Sequence, residues 1–110
     1  MSKEWTPKEL LYDLVSVQSD SFTEKEIEMS RHVFDLIAEQ DYWKEHPDLC
    51  GLYDGGDVIG RLIPWALRRG TTDRTIVLSG HTDCVEIDSY GTLKQFALSP
   101  DRLKEEMKKL

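Results

Sequence analysis

Cysteine is scarce: Cys50 and Cys84 stand far apart and outside any C-x-x-C spacing. Two such thiols make no disulfide framework and are expected to be free and reduced. Positive charge is also in deficit. Lys and Arg number 14 against 21 Asp and Glu, a formal charge of −7, which argues against nucleic acid or an anionic membrane surface as the main partner. Long apolar runs are missing, so no segment reads as a transmembrane span, and the N-terminal residues lack the apolar core of a signal peptide. Together these absences predict a cytoplasmic protein with no nucleic-acid and no membrane partner. G-x-G-x-x-G, Walker and G-x-S-x-G sequences are absent as well, so neither nucleotide phosphates nor a serine nucleophile has its usual cradle. No internal repeat, low-complexity tract or long linker interrupts the chain.

What is present is a globular composition, 39% apolar and 32% charged over 110 residues, enough for a single domain, 1–110, with a core. Thr6-Pro7-Lys8-Glu9 is a capping box with proline at the first helical position, and Trp5 and Leu10 are placed to staple across it. Leu10, Leu11, Leu14 and Val15 follow at helical spacing and predict a helix over 7–17. After the turn Ser19-Asp20-Ser21 the same device repeats, with Thr23 as cap, Glu26 closing the box and Phe22 facing Ile27. Ile27, Ser30, Val33, Phe34, Ile37 and Ala38 make one stripe at 3.6-residue period, predicting a second helix over 24–40. His32 lies nearly opposite that stripe and is expected in solvent.

Between 41 and 74 the pattern is weaker. Tyr42 and Trp43 are expected to cover the core edge, and His46 precedes Pro47 in a loop-like, solvated context. Asp54-Gly55-Gly56-Asp57 is a turn by composition. The apolar run 62–67 contains Pro64, which disfavours a helix interior and permits a strand only at an edge or in irregular pairing, so an extended segment is expected. Beyond a loop at 86–91, Ser99-Pro100 opens a further helix whose apolar stripe is Leu103, Met107 and Leu110. The sequence stops at Leu110 without a glycine cap or tail, which predicts the first part of a larger domain.

The most informative stretch is Thr75-Ile76-Val77-Leu78-Ser79-Gly80-His81-Thr82-Asp83-Cys84-Val85. The first four residues suit a strand buried on both faces of a parallel sheet. Ser79-Gly80 breaks the run, and His81 and Asp83 follow with one spacer, so an extended backbone projects both from the same side. Open α/β sheets place ligands at such strand ends. Spacing alone leaves two readings: a metal-ligating histidine with a carboxylate to fix its tautomer, or a loop histidine whose neighbouring aspartate caps a turn. Cys84 has no positioned base beside it and is expected to pack as a small apolar residue. The fold class expected is α/β, helices packed on a small mixed sheet with 75–79 as its central strand.

At Leu78-Ser79-Gly80-His81-Thr82-Asp83-Cys84-Val85 the chain resembles the first metal motif of the co-catalytic zinc peptidase family. That family includes aminoacylase, carboxypeptidase G, acetylornithine deacetylase and succinyl-diaminopimelate desuccinylase. The helix-plus-serine turn through Ser21, the second helix and the 60–67 segment follow in the family's order. Glu86 stands where many members have proline, and Ile87-Asp88-Ser89-Tyr90-Gly91-Thr92-Leu93 with Phe96-Ala97 is most similar to the arginine-utilisation branch. The resemblance implies the N-terminal part of a metallopeptidase catalytic domain, with His81 as a ligand in a dinuclear zinc (or cobalt) centre and Asp83 as the carboxylate that orients it. It implies hydrolysis of a small peptide or N-acyl amino acid in the parent protein. The family's bridging aspartate, glutamate pair and later ligands lie downstream of this motif, so the chain alone is expected to bind zinc poorly and not to turn over substrate. The rival readings are a stand-alone non-catalytic α/β module and another metal-dependent hydrolase such as a phosphoesterase. Substrate, metal identity and oligomeric state stay open.

Overall fold

The computed structural model describes residues 3–110. The first helix, α1 (Pro7–Val15), begins as its sequence dictates. Thr6 Oγ accepts the Glu9 N–H at 3.2 Å while the Glu9 carboxylate accepts the Thr6 N–H at 3.0 Å. The second helix, α2 (Lys25–Ala38), is the longest and carries Met29 and Ser30 as its buried residues. Its start differs from expectation. Phe22 adopts a left-handed φ of 63° and its side chain is exposed, so the Phe22–Ile27 staple does not form. Glu26 accepts the N–H of Phe22 at 2.6 Å instead of that of Thr23, and the Thr23 hydroxyl donates to the Asp20 carbonyl at 2.7 Å. The expected capping box does not form: the cap position is Glu24, whose side chain makes no capping bond, because Thr23 and Glu26 are used to hold the turn at 19–22.

A short helix, α3 (Asp41–Glu45), continues directly from α2, placing Tyr42 and Trp43 over the edge of the core. A single turn of 3-10 helix, Pro47–Leu49, then feeds β1 (Cys50–Asp54). β1 pairs antiparallel with β2 (Leu62–Ala66) in the register Leu52↔Pro64. Pro64 is tolerated because both strands of a two-stranded sheet are edges, so its missing N–H need not face a partner. α2 packs across this hairpin, and Ser30 Oγ donates to the Leu62 carbonyl at 2.7 Å. A 3-10 segment, Ile87–Phe96, broken at Gly91 by a φ of 59°, leads into α4 (Pro100–Met107). Tyr12 Oη donates to Asp101 at 2.9 Å and ties α4 back to α1.

The architecture is α/β, helices packed on a small sheet. That sheet is two-stranded and antiparallel rather than mixed, and 75–79 is not its central strand. Residues 68–83 make no backbone–backbone hydrogen bond among the described residues. Ile76, Val77 and Leu78 are 87%, 81% and 92% exposed. The physical reason is pairing. A strand buried on both faces needs hydrogen-bonded neighbours, and β1 and β2 pair with each other and not with 75–79. The core is correspondingly shallow, with Met29, Leu49 and Cys50 as its buried apolar residues. The radius of gyration is 16.7 Å, against about 13 Å for a compact domain of this length. No helix among the described residues is long and apolar enough to cross a membrane.

Removing the α1 cap tests how far local chemistry carries this fold. Thr6→Ala should weaken α1 by about 1 kcal/mol, seen as faster amide exchange through α1, while Thr6→Ser keeps wild-type protection. Unchanged exchange in the alanine variant would show the capping box to be idle.

Candidate functional site

The crossing segment is held at one place. Asp20 and Cys84 form an isolated parallel bridge, with Cys84 N–H donating to the Ser19 carbonyl at 2.8 Å and Ser21 N–H to the Cys84 carbonyl at 2.9 Å. Ser19, buried in the turn between α1 and α2, adds a hydroxyl bond to the Thr82 carbonyl at 2.8 Å. These contacts fix the backbone at 82–84 although no sheet receives it.

On this anchored backbone the two residues of the His-x-Asp pair meet directly. Asp83 Oδ1 lies 2.9 Å from His81 Nδ1. The other carboxylate oxygen, Oδ2, accepts the Ser21 hydroxyl at 2.7 Å. A carboxylate can only accept, so Nδ1 carries the proton and the Nε2 lone pair of the neutral ring is left free. Nε2 meets no hydrogen-bond partner among the described residues, and the ring is 85% exposed. The Ser21 hydroxyl first, and the His81 ring second, hold the Asp83 carboxyl below its ordinary value. The carboxylate is therefore kept ionised and pointed at the imidazole.

His81 and Asp83 line a cavity of about 460 Å³, together with Gly80, with Glu26 and Ser30 of α2, and with Asp57, Arg61 and Leu62 near β2. Within its wall Arg61 joins two carboxylates: it pairs with Asp57 and its Nη1 lies 3.5 Å from Glu26. Asp57 also accepts the backbone N–H groups of Ile59, Gly60 and Arg61 at 2.9, 2.7 and 3.1 Å. The Arg61 side chain, helped by these N–H donors, brings the Asp57 carboxyl down to about 2. The wall beside His81 is a rigid, ion-paired loop with a surplus of negative charge.

The chemistry of the donor set fits one corner of a metal site. His81 offers an exposed ring nitrogen, Nε2, with a carboxylate behind Nδ1, the usual arrangement of an imidazole ligand. No cluster of three or more His, Cys, Asp or Glu among the described residues could hold an ion alone. The other histidines lie elsewhere. His32 is half-buried against Asp13 of α1 rather than solvated, and His46 is exposed and stacked on Tyr42 at 4.5 Å between ring centroids. Cys84 is exposed, not packed as an apolar residue, and serves the site through its backbone; Cys50 is buried, and both thiols are free. Sequence reasoning missed Ser21, the Arg61–Asp57 pair and the His32–Asp13 contact. The serine turn was visible, but nothing local announces a partner 62 positions away.

Comparison with known proteins gives one informative relative. The chain is 30% identical over 95 residues to the uncharacterised protein YqjN of Bacillus subtilis (strain 168). The aligned stretch is 86% of this chain and 17% of YqjN, so the chain spans about a sixth of that relative's length. No family model matches the chain, and no solved structure does.

The Asp57 lock has a definite pH signature. In an unfolded chain the carboxyl titrates near 3.9, and in the fold it titrates at about 2. The lowered folded value means the lock stabilises the loop fully above roughly pH 4 and is lost as pH falls through the folded value. The amide signals of Ile59 and Gly60 should therefore titrate with a midpoint near 2, and Asp57→Asn should abolish that titration. A midpoint near 4 would contradict the Arg61 pairing.

Proposed function

We propose that this chain supplies the His81-bearing corner of the catalytic domain of a metal-dependent amide hydrolase, a peptidase or deacylase. The observation that carries the reading is the Asp83–His81 contact at 2.9 Å, which leaves Nε2 exposed at the mouth of a cavity. The resemblance of 78–85 to the first metal motif of the co-catalytic zinc peptidases supports it. On this reading the whole protein is cytoplasmic and acts on a small peptide or N-acyl amino acid.

His81 would hold one ion of a zinc or cobalt pair. When bound, such a pair activates water and polarises a scissile carbonyl. The residues of this chain have narrower tasks. Asp83 holds the proton on Nδ1 and keeps Nε2 available as donor. The bridge at Asp20 and Cys84 sets the height of the ring above the α1–α2 turn. Arg61, neutralised by Asp57 and Glu26, shapes the wall without presenting a free cation to the metal.

Two measurements test the reading. In the isolated chain, zinc titration should give weak binding that His81→Ala removes; tight stoichiometric binding that survives His81→Ala would exclude His81 as ligand. In the longest protein expressed from the same reading frame, metal-dependent hydrolysis of N-acyl amino acids or dipeptides should fall at least a thousandfold in His81→Ala. Asp83→Asn should reduce metal affinity roughly 10- to 100-fold. Full activity in His81→Ala would leave the rival reading, in which the pair only stabilises its loop.

A further inference from the structure

Two acceptors of Asp83 face His81 Nδ1, the side-chain Oδ1 at 2.9 Å and the backbone carbonyl at 3.2 Å, and the nearer one belongs to a side chain on a segment with no sheet to hold it. Asp83 is two-fifths exposed, at 38%. On its anchored backbone the carboxylate still has several staggered rotamers available, and Oδ1 meets Nδ1 in the one it adopts. His81 is not the only side chain that contacts it in that rotamer.

The turn before α2 contains two serines that contact the segment in different ways. Ser19 Oγ reaches the backbone carbonyl of Thr82 at 2.8 Å and does not touch the carboxylate. Ser21 Oγ reaches Asp83 Oδ2 at 2.7 Å, with the Cys84 carbonyl farther off at 3.1 Å. The Ser21 bond uses one carboxylate oxygen and leaves the other directed at the imidazole. Each oxygen of Asp83 thus has one donor, Ser21 on one side and His81 on the other. Ser21 is itself held by its N–H bond to the Cys84 carbonyl at 2.9 Å, so its hydroxyl starts from a fixed position.

We propose that Ser21 is a positioning residue for His81: its hydroxyl locks the Asp83 rotamer, and through it the proton on Nδ1 and the free lone pair on Nε2. The inference deepens the metal-ligand reading and rests on it for its functional meaning. The contact itself can be tested without metal. An imidazole without a directing partner carries its proton on either nitrogen, so the ring tautomer reports whether the lock is present.

The experiment is a long-range proton–nitrogen correlation spectrum of the histidine rings in the 15N-labelled, metal-free chain, at mildly alkaline pH where a histidine ring is neutral. Wild type should show His81 as a single tautomer protonated at Nδ1. Ser21→Ala should convert it to a mixture, Ser21→Thr should restore the Nδ1-protonated form, and Ser19→Ala should leave it unchanged. Protection of the Cys84 amide reports whether the backbone bridge survives in each variant. If Ser21→Ala loses the bridge, Ser21→Thr decides, because a mixed tautomer in a threonine variant with its bridge intact overturns the proposal. An unchanged tautomer in Ser21→Ala, or equal shifts in Ser19→Ala and Ser21→Ala, would also overturn it. With zinc ion as probe, Ser21→Ala should weaken binding about tenfold relative to Ser21→Thr. Zinc binding indifferent to His81→Ala, with the tautomer shift intact, would overturn the metal reading and leave the Ser21 contact standing, so the two failures are distinguishable.

Discussion

The site depends on one parallel bridge, between Asp20 and Cys84. The chain from 68 to 83 makes no backbone–backbone hydrogen bond among the described residues, and apart from the Arg69 N–H on Tyr42 Oη at its start it is this bridge that relates the His-x-Asp pair to the helices. With it, the turn that joins α1 to α2 becomes the platform on which His81 is oriented. The bridge works because the turn presents carbonyl, amide and hydroxyl groups in one short stretch, Ser19 to Ser21. Three kinds of contact then converge on 82–84: backbone pairing, a hydroxyl on a carbonyl and a hydroxyl on a carboxylate. Each satisfies a polar group that the open segment would otherwise give to water.

The helices and the hairpin hold this platform from opposite sides. α2 packs on β1 and β2 and begins beside the serine turn, where Glu26 serves both the Phe22 N–H and the Arg61 guanidinium. The same carboxylate therefore joins the serine turn to the loop that forms the cavity wall. α1 is attached at its middle by Asp13 to His32 of α2, and Tyr12 reaches Asp101 at the start of α4. These relations are fixed by polar ties. That is consistent with a core limited to Met29, Leu49 and Cys50 and with the exposure of the 76–78 run.

Legibility in the sequence followed the range of the interactions. The α1 cap was readable because Thr6, Pro7 and Glu9 decide it among themselves. The α2 stripe and the extended run through Pro64 were readable from periodicity and from what proline forbids. The start of α2 was misread because Phe22 turns left-handed and gives its N–H to Glu26, a backbone choice that capping patterns do not announce. The strand expected at 75–79 was misread for a related reason. Aliphatic residues state a preference for burial between strands, and neighbouring strands must be there to meet it. At the site, His81 and Asp83 were legible as a pair because their spacing is local, while Ser21 was not, because only the folded chain brings it to Asp83.

The open crossing from β2 to the bridge also separates the stability of the histidine corner from that of the helices and hairpin. Once α2 and the hairpin have formed, the bridge still has to close a loop of roughly 20 residues, an entropic cost of about 3 kcal/mol. Against this stand only the few hydrogen bonds that Ser19 and Ser21 share with Thr82, Asp83 and Cys84. Opening the histidine corner breaks those bonds and none within the helix-on-hairpin unit.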